Sequence, residues 1–283
     1  MSVIGRRAAL RVLSAGAVAV VVPQTATSAD AAPRRFAADA ACRAALRRVS
    51  RAPGVTFGVG VHDAVSARRF LLDPTGSWEM ASTVKVDLLL GLLRRAQVDR
   101  RGLTEAERSL ATAMIVRSDN GAASRLWADN GGGAGMARLW RRLDVDGMRP
   151  GADGRWGLTR CSIDSRLQIL QILVDGHPAL NAARANEVVW LMKDVRADQR
   201  WGVGTVARSG EMTELKNGWL PRSSDGRRWI VNTTGRVHGR DRTAVKGRRD
   251  LRMAVFSRGH SSMSSGVEFV EEVLRTTRRS LAI

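Results

Sequence analysis

The chain contains very little lysine. Only Lys85, Lys193, Lys216 and Lys246 occur among its 46 lysine and arginine residues. Arginine cannot lose its proton in a protein, whereas a buried lysine can lose it and then act as a base. In a chain that uses arginine almost everywhere, a lysine inside a motif indicates a position where arginine would not serve. Lys85 and Lys216 both lie in such motifs.

Signals for nucleic-acid and metal binding are also missing. There is no zinc-finger spacing, basic zipper region or basic arm, so no nucleic-acid partner is expected despite a formal net charge of +19. That charge is scattered, which is typical of a solvated surface, although attraction to an anionic cell-wall polymer is an alternative. No metal or other cofactor is expected, because metal-ligand spacing is absent among the four histidines, His62, His177, His238 and His260.

The N-terminus has the features of an export signal. Arg6 and Arg7 form a basic start that resembles a twin-arginine signal, a short apolar run follows, and Ala29 and Ala31 offer a cleavage site. The sequence therefore predicts that residues 1–31 are removed and that the protein is secreted, with association with the cell wall as an alternative location. An uncleaved anchor is the other interpretation. No later segment is long and apolar enough to span a membrane stably.

The two cysteines, Cys42 and Cys161, leave two alternatives open. In an exported protein they can form one disulfide. They are as readily explained as two unpaired, small core residues.

The hydrophobic pattern predicts strands towards both ends of the chain and helices between them. Helical periodicity is found at residues 37–51, 82–97, 104–116, 121–130, 135–143, 162–174, 179–195 and 263–278. Alternation typical of strands is found at residues 55–62, 68–72, 213–219, 228–237 and 251–257. We therefore expect an α/β fold of the α+β type, in which terminal helices flank an antiparallel five-stranded sheet. Residues 32–81 and 200–283 are expected to form the sheet lobe, with residues 82–199 inserted as an all-helical lobe.

Ser82 and Lys85 form the first motif of chemical interest. They are three residues apart at the start of a helix that is apolar nearly all round, so they share a face of a buried element. Burial should lower the pKa of Lys85, and N–H groups at the helix start can stabilise an oxyanion. Ser82 is then a candidate nucleophile with Lys85 as its base. The alternative is a helix cap at Ser82 and a lysine that reaches solvent.

Ser118-Asp119-Asn120 forms the second motif, between two predicted helices. Its simplest role is helix capping, since all three residue types cap helices. As chemistry, it offers a hydroxyl that can relay a proton and an amide that can bond to a substrate carbonyl.

Lys216-Asn217-Gly218 forms the third motif, at the end of a predicted strand. Asn-Gly often marks a hairpin turn, but Asp225-Gly226 supplies a better turn further on. We favour a strand edge that lines the cleft, where Gly218 allows close approach of a ligand and Lys216 adds positive charge.

The three motifs, in this order, resemble those of the class A β-lactamase and penicillin-binding-protein superfamily, and in particular its exported actinobacterial serine hydrolases. The resemblance covers essentially the whole chain after the export signal. It implies a β-lactamase/transpeptidase-like fold and acyl transfer through a serine. The implied substrate is a β-lactam or a D-alanyl peptide or ester, which is a small molecule or a cell-wall peptide. A monomer is expected.

The resemblance also implies a role for each motif residue. Ser82 is the implied nucleophile and Lys85 the candidate base. Ser118 and Lys216 are implied to move the proton of the leaving group. Asn120 is implied to contact the acyl-amide side chain of the substrate.

The implied oxyanion hole consists of the backbone N–H groups of Ser82 and Trp219, and the Trp219 side chain is expected to border the cleft. Asn217 stands where the family usually carries a hydroxyl residue, and its amide is expected to donate to a substrate carboxylate. Other tryptophans are expected in the core or between the lobes, and these include Trp127, Trp156, Trp190 and Trp201.

Two departures from the family concern the region after the middle motif. Class A β-lactamases carry a glutamate there that activates the deacylating water. Here no glutamate occurs between Glu107 and Glu187, and the loop 150–159 offers only Asp153. In addition, Ser118 follows the first motif serine by only 36 positions, a shorter stretch than β-lactamases usually have.

The missing glutamate favours slow deacylation. Lys85 can still serve as the base for acylation, but without a positioned water the acyl-enzyme should persist. The rival hypothesis is a non-catalytic cell-wall-binding or sensing module with a degenerate pocket, which the missing glutamate, Asn217 and the positive charge favour.

Overall fold

The computed structural model describes residues 34–49, 53–239 and 249–283. The predicted export signal, residues 1–31, lies outside this part of the chain. The described residues belong to one compact unit, Pro33–Ile283. Within them, no helix combines the length and the apolar character that crossing a membrane requires.

The order of helices and strands follows the hydrophobic pattern. The α-helices of the described residues are α1 (Asp39–Val49), α2 (Lys85–Val98), α3 (Glu105–Val116), α4 (Asn120–Asp129), α5 (Gly132–Arg142), α6 (Ile163–Asp175), α7 (Ala182–Lys193) and α8 (Met263–Leu281). The strands are β1 (Arg34–Arg35), β2 (Thr56–Asp63), β3 (Arg68–Leu72), β4 (Trp78–Glu79), β5 (Arg160–Cys161), β6 (Glu211–Arg222), β7 (Arg228–Gly239) and β8 (Asp250–His260). Short 3-10 helices lie at Ala81–Val84, Trp156–Leu158, Ala197–Gln199, Gly202–Thr205 and Ser223–Asp225.

The main sheet has six strands in the order β1-β3-β2-β8-β7-β6. All neighbours pair antiparallel except β1 and β3, which are parallel. The mixed α/β fold expected from the sequence is therefore confirmed, with one more strand than the five predicted. The additional strand, β1, has only two residues, which is too short to show the alternation that reveals a strand. The division into lobes at residues 81/82 and 199/200 stays a prediction.

Strand β6 is longer than its pattern predicts. It runs through Pro221, which pairs with Trp229, so the third motif lies inside the strand and does not close it. A proline lacks the N–H that a central strand needs, but β6 is an edge strand, where proline is tolerated. The turn predicted at Asp225-Gly226 is confirmed: Gly226 adopts a φ of 56° between β6 and β7.

Helix α2 lies at the centre of the helical part. It packs against α3, α4, α5 and α7, and its leucines are almost fully buried. A buried carboxylate lies among them: Asp87 accepts a 2.6 Å hydrogen bond from Arg166 Nη1 and a 3.0 Å bond from Trp140 Nε1. Neither Asp87 nor Arg166 has any exposed surface. The ion pair ties α2, and with it Lys85, to α6, and the bond from Trp140 ties it to α5.

Both cysteines are buried and free. Cys42 lies on α1, which packs against α8, whereas Cys161 lies on β5 opposite Trp78. Of the two alternatives that the sequence leaves open, the structure has the unpaired core residues.

Candidate active site

Ser82 lies in the 3-10 turn that leads into α2. The preceding residue, Ala81, adopts a left-handed φ of 47°. Such a backbone is costly for a residue other than glycine, and such positions cluster at functional sites. Thr83 Oγ1 donates to Met80 O at 2.7 Å, which holds the turn in place. Ser82 itself is half-buried at the start of the helix.

Lys85 is the first residue of α2 and has no exposed surface. Its Nζ donates to Ser118 O at 2.7 Å, to Ser118 Oγ at 3.1 Å and to Asn120 Oδ1 at 2.9 Å. Burial lowers the pKa of Lys85 to about 8, against a smaller opposing effect of Asp119. The alternative of a lysine that reaches solvent is therefore wrong, and the shift has the direction that a general base needs.

Ser118 lies where the first two motifs meet, despite the short stretch that separates them. Its backbone is left-handed, with a φ of 56°, and its Oγ is within 3.0 Å of Lys216 Nζ as well as within reach of Lys85. Asp119 caps α4, since its Oδ1 accepts from Ala122 N at 2.7 Å. Asp119 therefore caps a helix, whereas Ser118 and Asn120 accept hydrogen bonds from lysine side chains.

Lys216 has no exposed surface either. Its Nζ donates to Ser118 Oγ at 3.0 Å and to Asn217 O at 3.2 Å. Burial, followed by the positive charge of Lys85, lowers the pKa of Lys216 to about 7. Two buried ammonium groups on one hydroxyl repel each other, so the two lysines titrate as a pair. At neutral pH the pair carries less than two full charges and can accept a proton.

Gly218 is needed for the approach of β6 to the turn that carries Ser82. A Cβ at this position would lie 2.7 Å from Ser82 N and 2.9 Å from Met80 O, closer than real Cβ atoms come to backbone. The predicted close approach is therefore present and involves this turn, while the approach of a ligand to Gly218 stays a prediction. The contact brings Ser82 N–H beside the strand that continues to Trp219.

Asn217 does not have the role that the sequence predicts. Its Nδ2 donates to Gln199 O and to Trp201 O, both at 2.9 Å, and the residue is fully buried. Both amide protons are used, so none remains for a substrate carboxylate. The physical reason is the alternation of a strand, which turns Asn217 away from the face that carries Lys216. Asn217 instead fixes the segment 199–201 to the sheet.

The Trp219 side chain shares the face of β6 with Asn217. It is half-buried, and its ring centroid lies 5.9 Å from that of Trp201 in a tilted pair. The indole ring of Trp219 thus lies on the face of β6 opposite Lys216 and packs against Trp201. The backbone of Trp219 directly follows Gly218.

Trp156, expected in the core or between the lobes, is half-buried and contacts the site, which the sequence did not predict. Its ring centroid lies 5.0 Å from Lys85 Nζ, and its Nε1 donates to Ser124 Oγ at 3.0 Å. The one carboxylate of the same loop, Asp153, is exposed and pairs with Arg155 at 2.9 Å. The loop in which the resemblance to class A β-lactamases leads us to expect an activating glutamate thus presents an indole ring to Lys85. In the sequence, the position of Trp156 in this loop was the one indication that it could lie near the site.

Trp190, also expected in the core or between the lobes, is 65% exposed, and Lys193 Nζ lies 5.1 Å from its ring centroid. That expectation is wrong for Trp190, because it lies on the outer side of α7. Lys193 and Trp190 thus form on the surface the same kind of contact that Lys85 and Trp156 form in the site.

Two of the four histidines, His238 and His260, lie beside other polar side chains. His238 Nε2 lies 2.7 Å from Glu214 Oε1, and His260 Nε2 lies 2.9 Å from Ser257 Oγ. Burial lowers the pKa of His260 to about 4, so it is neutral at physiological pH. Within residues 34–49, 53–239 and 249–283, no group of three or more histidine, cysteine, aspartate or glutamate side chains is arranged to hold a metal ion.

The lysine pair predicts a pH dependence. If a neutral lysine amine accepts the proton of Ser82, the acylation rate should rise about tenfold per pH unit below pH 7 and level off above pH 8, because the lowered pKa values lie at about 7 and 8. The rate of mass gain with benzylpenicillin between about pH 5 and pH 9 measures it. A flat profile in a protein that stays folded over this range would exclude a lysine base.

The chain was compared with family models, curated proteins and solved structures. No family model matches the chain. The candidate lipoprotein LppW of Mycobacterium tuberculosis and of Mycobacterium bovis is 27% identical over 192 residues, which are 65% of this chain and 60% of LppW. The chain thus spans less than two thirds of the length of these curated relatives.

Solved structures are similar to this chain in fold. PBP-A superimposes with a TM-score of 0.73 at 15% identity, over 89% of this chain and 98% of PBP-A. The extended-spectrum β-lactamase TLA-1 gives a TM-score of 0.73 at 13% identity, over 87% and 100% of the two chains. A β-lactamase from Xanthomonas campestris pv. campestris gives 0.68 at 19%, over 84% and 97%.

The chain therefore has the fold of the class A β-lactamases and of PBP-A. The resemblance to the class A β-lactamase and penicillin-binding-protein superfamily, drawn from three short motifs, is confirmed at the level of the fold. What the chain does with this fold depends on the site, because one fold can carry different functions.

Proposed function

We propose that the chain is an exported serine hydrolase that forms an acyl-enzyme on Ser82 with β-lactams or with D-alanyl peptides or esters. One observation supports this above all. Lys85 and Lys216, both fully buried and both with a lowered pKa, bond to the same hydroxyl, Ser118 Oγ. Such an arrangement costs stability, and it supplies what proton transfer needs at neutral pH.

We propose the following order of steps for acylation. Ser82 Oγ attacks the carbonyl carbon of the substrate, and its proton passes to the neutral amine of Lys85. The carbonyl oxygen takes up the negative charge, which the N–H groups of Ser82 and Trp219 stabilise. The bond from the carbonyl carbon to the leaving nitrogen or oxygen then breaks. The leaving atom takes the proton of Ser118 Oγ. Lys85 then gives its proton to Ser118 Oγ. Between these two transfers, Lys216 stabilises the negative charge on Ser118 Oγ.

Deacylation reverses the roles. The oxygen of a water molecule bonds to the acyl carbon, the bond to Ser82 Oγ breaks, and the water proton passes through Lys85 to that oxygen. Within the described residues, the hydrogen bonds of Lys85 go to a carbonyl, a hydroxyl and an amide, and none goes to a carboxylate that could orient the water. We therefore expect the acyl-enzyme to form readily and to hydrolyse slowly.

The proposed location is outside the cytoplasm. Support comes from the basic and apolar N-terminal residues and from the name of the relative LppW, a candidate lipoprotein. A cell-wall peptide is then within reach as a substrate. The positive charge of +19 also suits contact with an anionic wall polymer.

Intact-protein mass spectrometry with benzylpenicillin tests the proposal. The expected result is a mass increase equal to one penicillin that lasts for hours in the wild type, is lost in Ser82→Ala and is kept in the control Ser261→Ala, an exposed serine. Consumption of penicillin without an adduct would mean fast deacylation and a working β-lactamase. No adduct and no consumption would contradict the proposal for β-lactams.

The rival, a non-catalytic wall-binding module, is favoured by the buried Asn217, whose amide has no N–H left for a substrate carboxylate. It predicts salt-sensitive adhesion to an anionic wall polymer that is unchanged in Ser82→Ala. Adhesion together with a missing adduct on D-alanyl esters as well as penicillin would establish it.

A further inference from the structure

Trp156 has no role in the transfer steps above, yet it lies against the base. The loop that carries it is tied to the turn before Ser82, because Met80 N donates to Thr159 O at 2.8 Å. Within the loop, Thr159 Oγ1 accepts from Gly151 N at 3.2 Å, and Thr159 is fully buried. The position of the indole is therefore fixed by the elements that form the site.

The indole is also held in orientation. Its Nε1 donates to Ser124 Oγ at 3.0 Å, and Ser124 lies on α4 one turn after Asn120, which binds Lys85 Nζ. The ring face lies 5.0 Å from the same Nζ. Lys85 is thus enclosed by hydrogen-bond acceptors from the second motif and by an aromatic face from the loop.

We propose that Trp156 is a positioning residue that holds the Lys85 ammonium against Ser118 and Asn120 and keeps water away from it, so that an acyl group on Ser82 is hydrolysed slowly. The inference rests on the proposed function. An aromatic face attracts the ammonium but cannot take a proton from water or orient it. Because the ring nitrogen is already bonded to Ser124, the side of Lys85 that the ring covers offers no polar group to a water molecule.

Removing the Trp156 ring should change both deacylation and acylation. With the ring removed, water reaches Lys85, its oxygen can bond to the acyl carbon, and its proton can pass through Lys85 to Ser82 Oγ. Deacylation should accelerate. Hydration should also raise the pKa of Lys85 from about 8 towards its ordinary value, because burial is the largest cause of its depression. The midpoint of the acylation profile should therefore move to higher pH.

The test compares the lifetime of the benzylpenicillin adduct in Trp156→Ala, Trp156→Phe and the wild type. The alanine variant should lose the adduct at least tenfold faster and show the shifted pH profile, whereas phenylalanine, which keeps an aromatic face, should stay within about threefold of the wild type. Trp190→Ala is the matched control, since it removes the same kind of lysine–tryptophan contact on the surface. It should change neither quantity.

The outcomes separate the two proposals. If the wild type and all variants form no adduct, the proposed function fails first. If the adduct forms on Ser82 and decays equally slowly in Trp156→Ala, the inference about Trp156 is wrong while the proposed function stands. Should the alanine variant not fold, Trp156→Gln serves in its place, because it keeps more side-chain volume and offers water a polar group. An unchanged lifetime in a folded Trp156→Gln would equally overturn the inference.

Discussion

Lys85→Arg should lower the rate of acylation by about 10²–10⁴-fold, the range that a positioned general base contributes. Arginine keeps the positive charge and can donate to Ser118 and Asn120, as Lys85 does at 2.7–3.1 Å. It cannot lose its proton, so it cannot accept the proton of Ser82. The second-order rate of mass gain with benzylpenicillin measures the effect.

Two further variants isolate the proton transfer from the fit of the side chain. Lys85→Met has no charge and a smaller head group, and it should be as slow as the arginine variant, since neither can act as a base. Lys193→Arg is the control, because Lys193 contacts an exposed tryptophan and lies outside the lysine pair. Acylation at the wild-type rate by a folded Lys85→Arg would show that the charge of Lys85 matters and that its basicity does not.

Arg166→Met should lower the free energy of unfolding by about 3–5 kcal/mol, the cost of leaving one member of a buried ion pair without its partner. Asp87 would keep its bond from Trp140 and lose the 2.6 Å bond from Arg166, with no exposed surface through which water could replace it. Urea denaturation followed by circular dichroism gives the free energy. Since Asp87 lies on α2, two residues after Lys85, acylation should also slow in the folded fraction.

A surface pair provides the contrast. Arg155→Met removes the partner of Asp153, both of which are largely exposed, and should change the free energy of unfolding by about 0–1 kcal/mol. Replacing both buried partners, with Asp87→Leu and Arg166→Met together, should recover part of the loss, because no uncompensated charge then remains. A loss in Arg166→Met no larger than that of Arg155→Met would mean that water reaches the buried aspartate.

Much of the fold could be predicted because its signals are local. Thr104 followed three residues later by Glu107 is typical of a capping box, and the box is present at the start of α3, with Glu107 N donating to Thr104 Oγ1 at 3.2 Å. The alternation of β2, β3, β7 and β8 and the turn at Gly226 are equally local. The third motif was harder, because the length of β6 depends on its place at the sheet edge, which permits Pro221.

Only the part of the site that consists of motif residues could be predicted from the sequence. Lys85, Ser118 and Lys216 come together as expected, since short spacings on a helix and a strand carry that information. The orientation of Asn217 depends on carbonyls of the segment 199–201, and the contact of Trp156 depends on how a loop folds back onto α2. The sequence indicates the alternation that orients Asn217 and the loop that carries Trp156, but spacing and composition do not show which groups these two side chains contact. Both are tertiary contacts between distant parts of the chain.

The contact at Gly218 also has a consequence for folding. Ser82 and Gly218 are 136 positions apart in the chain, yet the backbones at these two residues touch with no side chain between them. Bringing such distant segments together is slow, so the site is completed only after the helices and the edge strand have docked. Penicillin labelling should therefore report on native docking: during refolding, the capacity to be labelled should appear later than the helical signal.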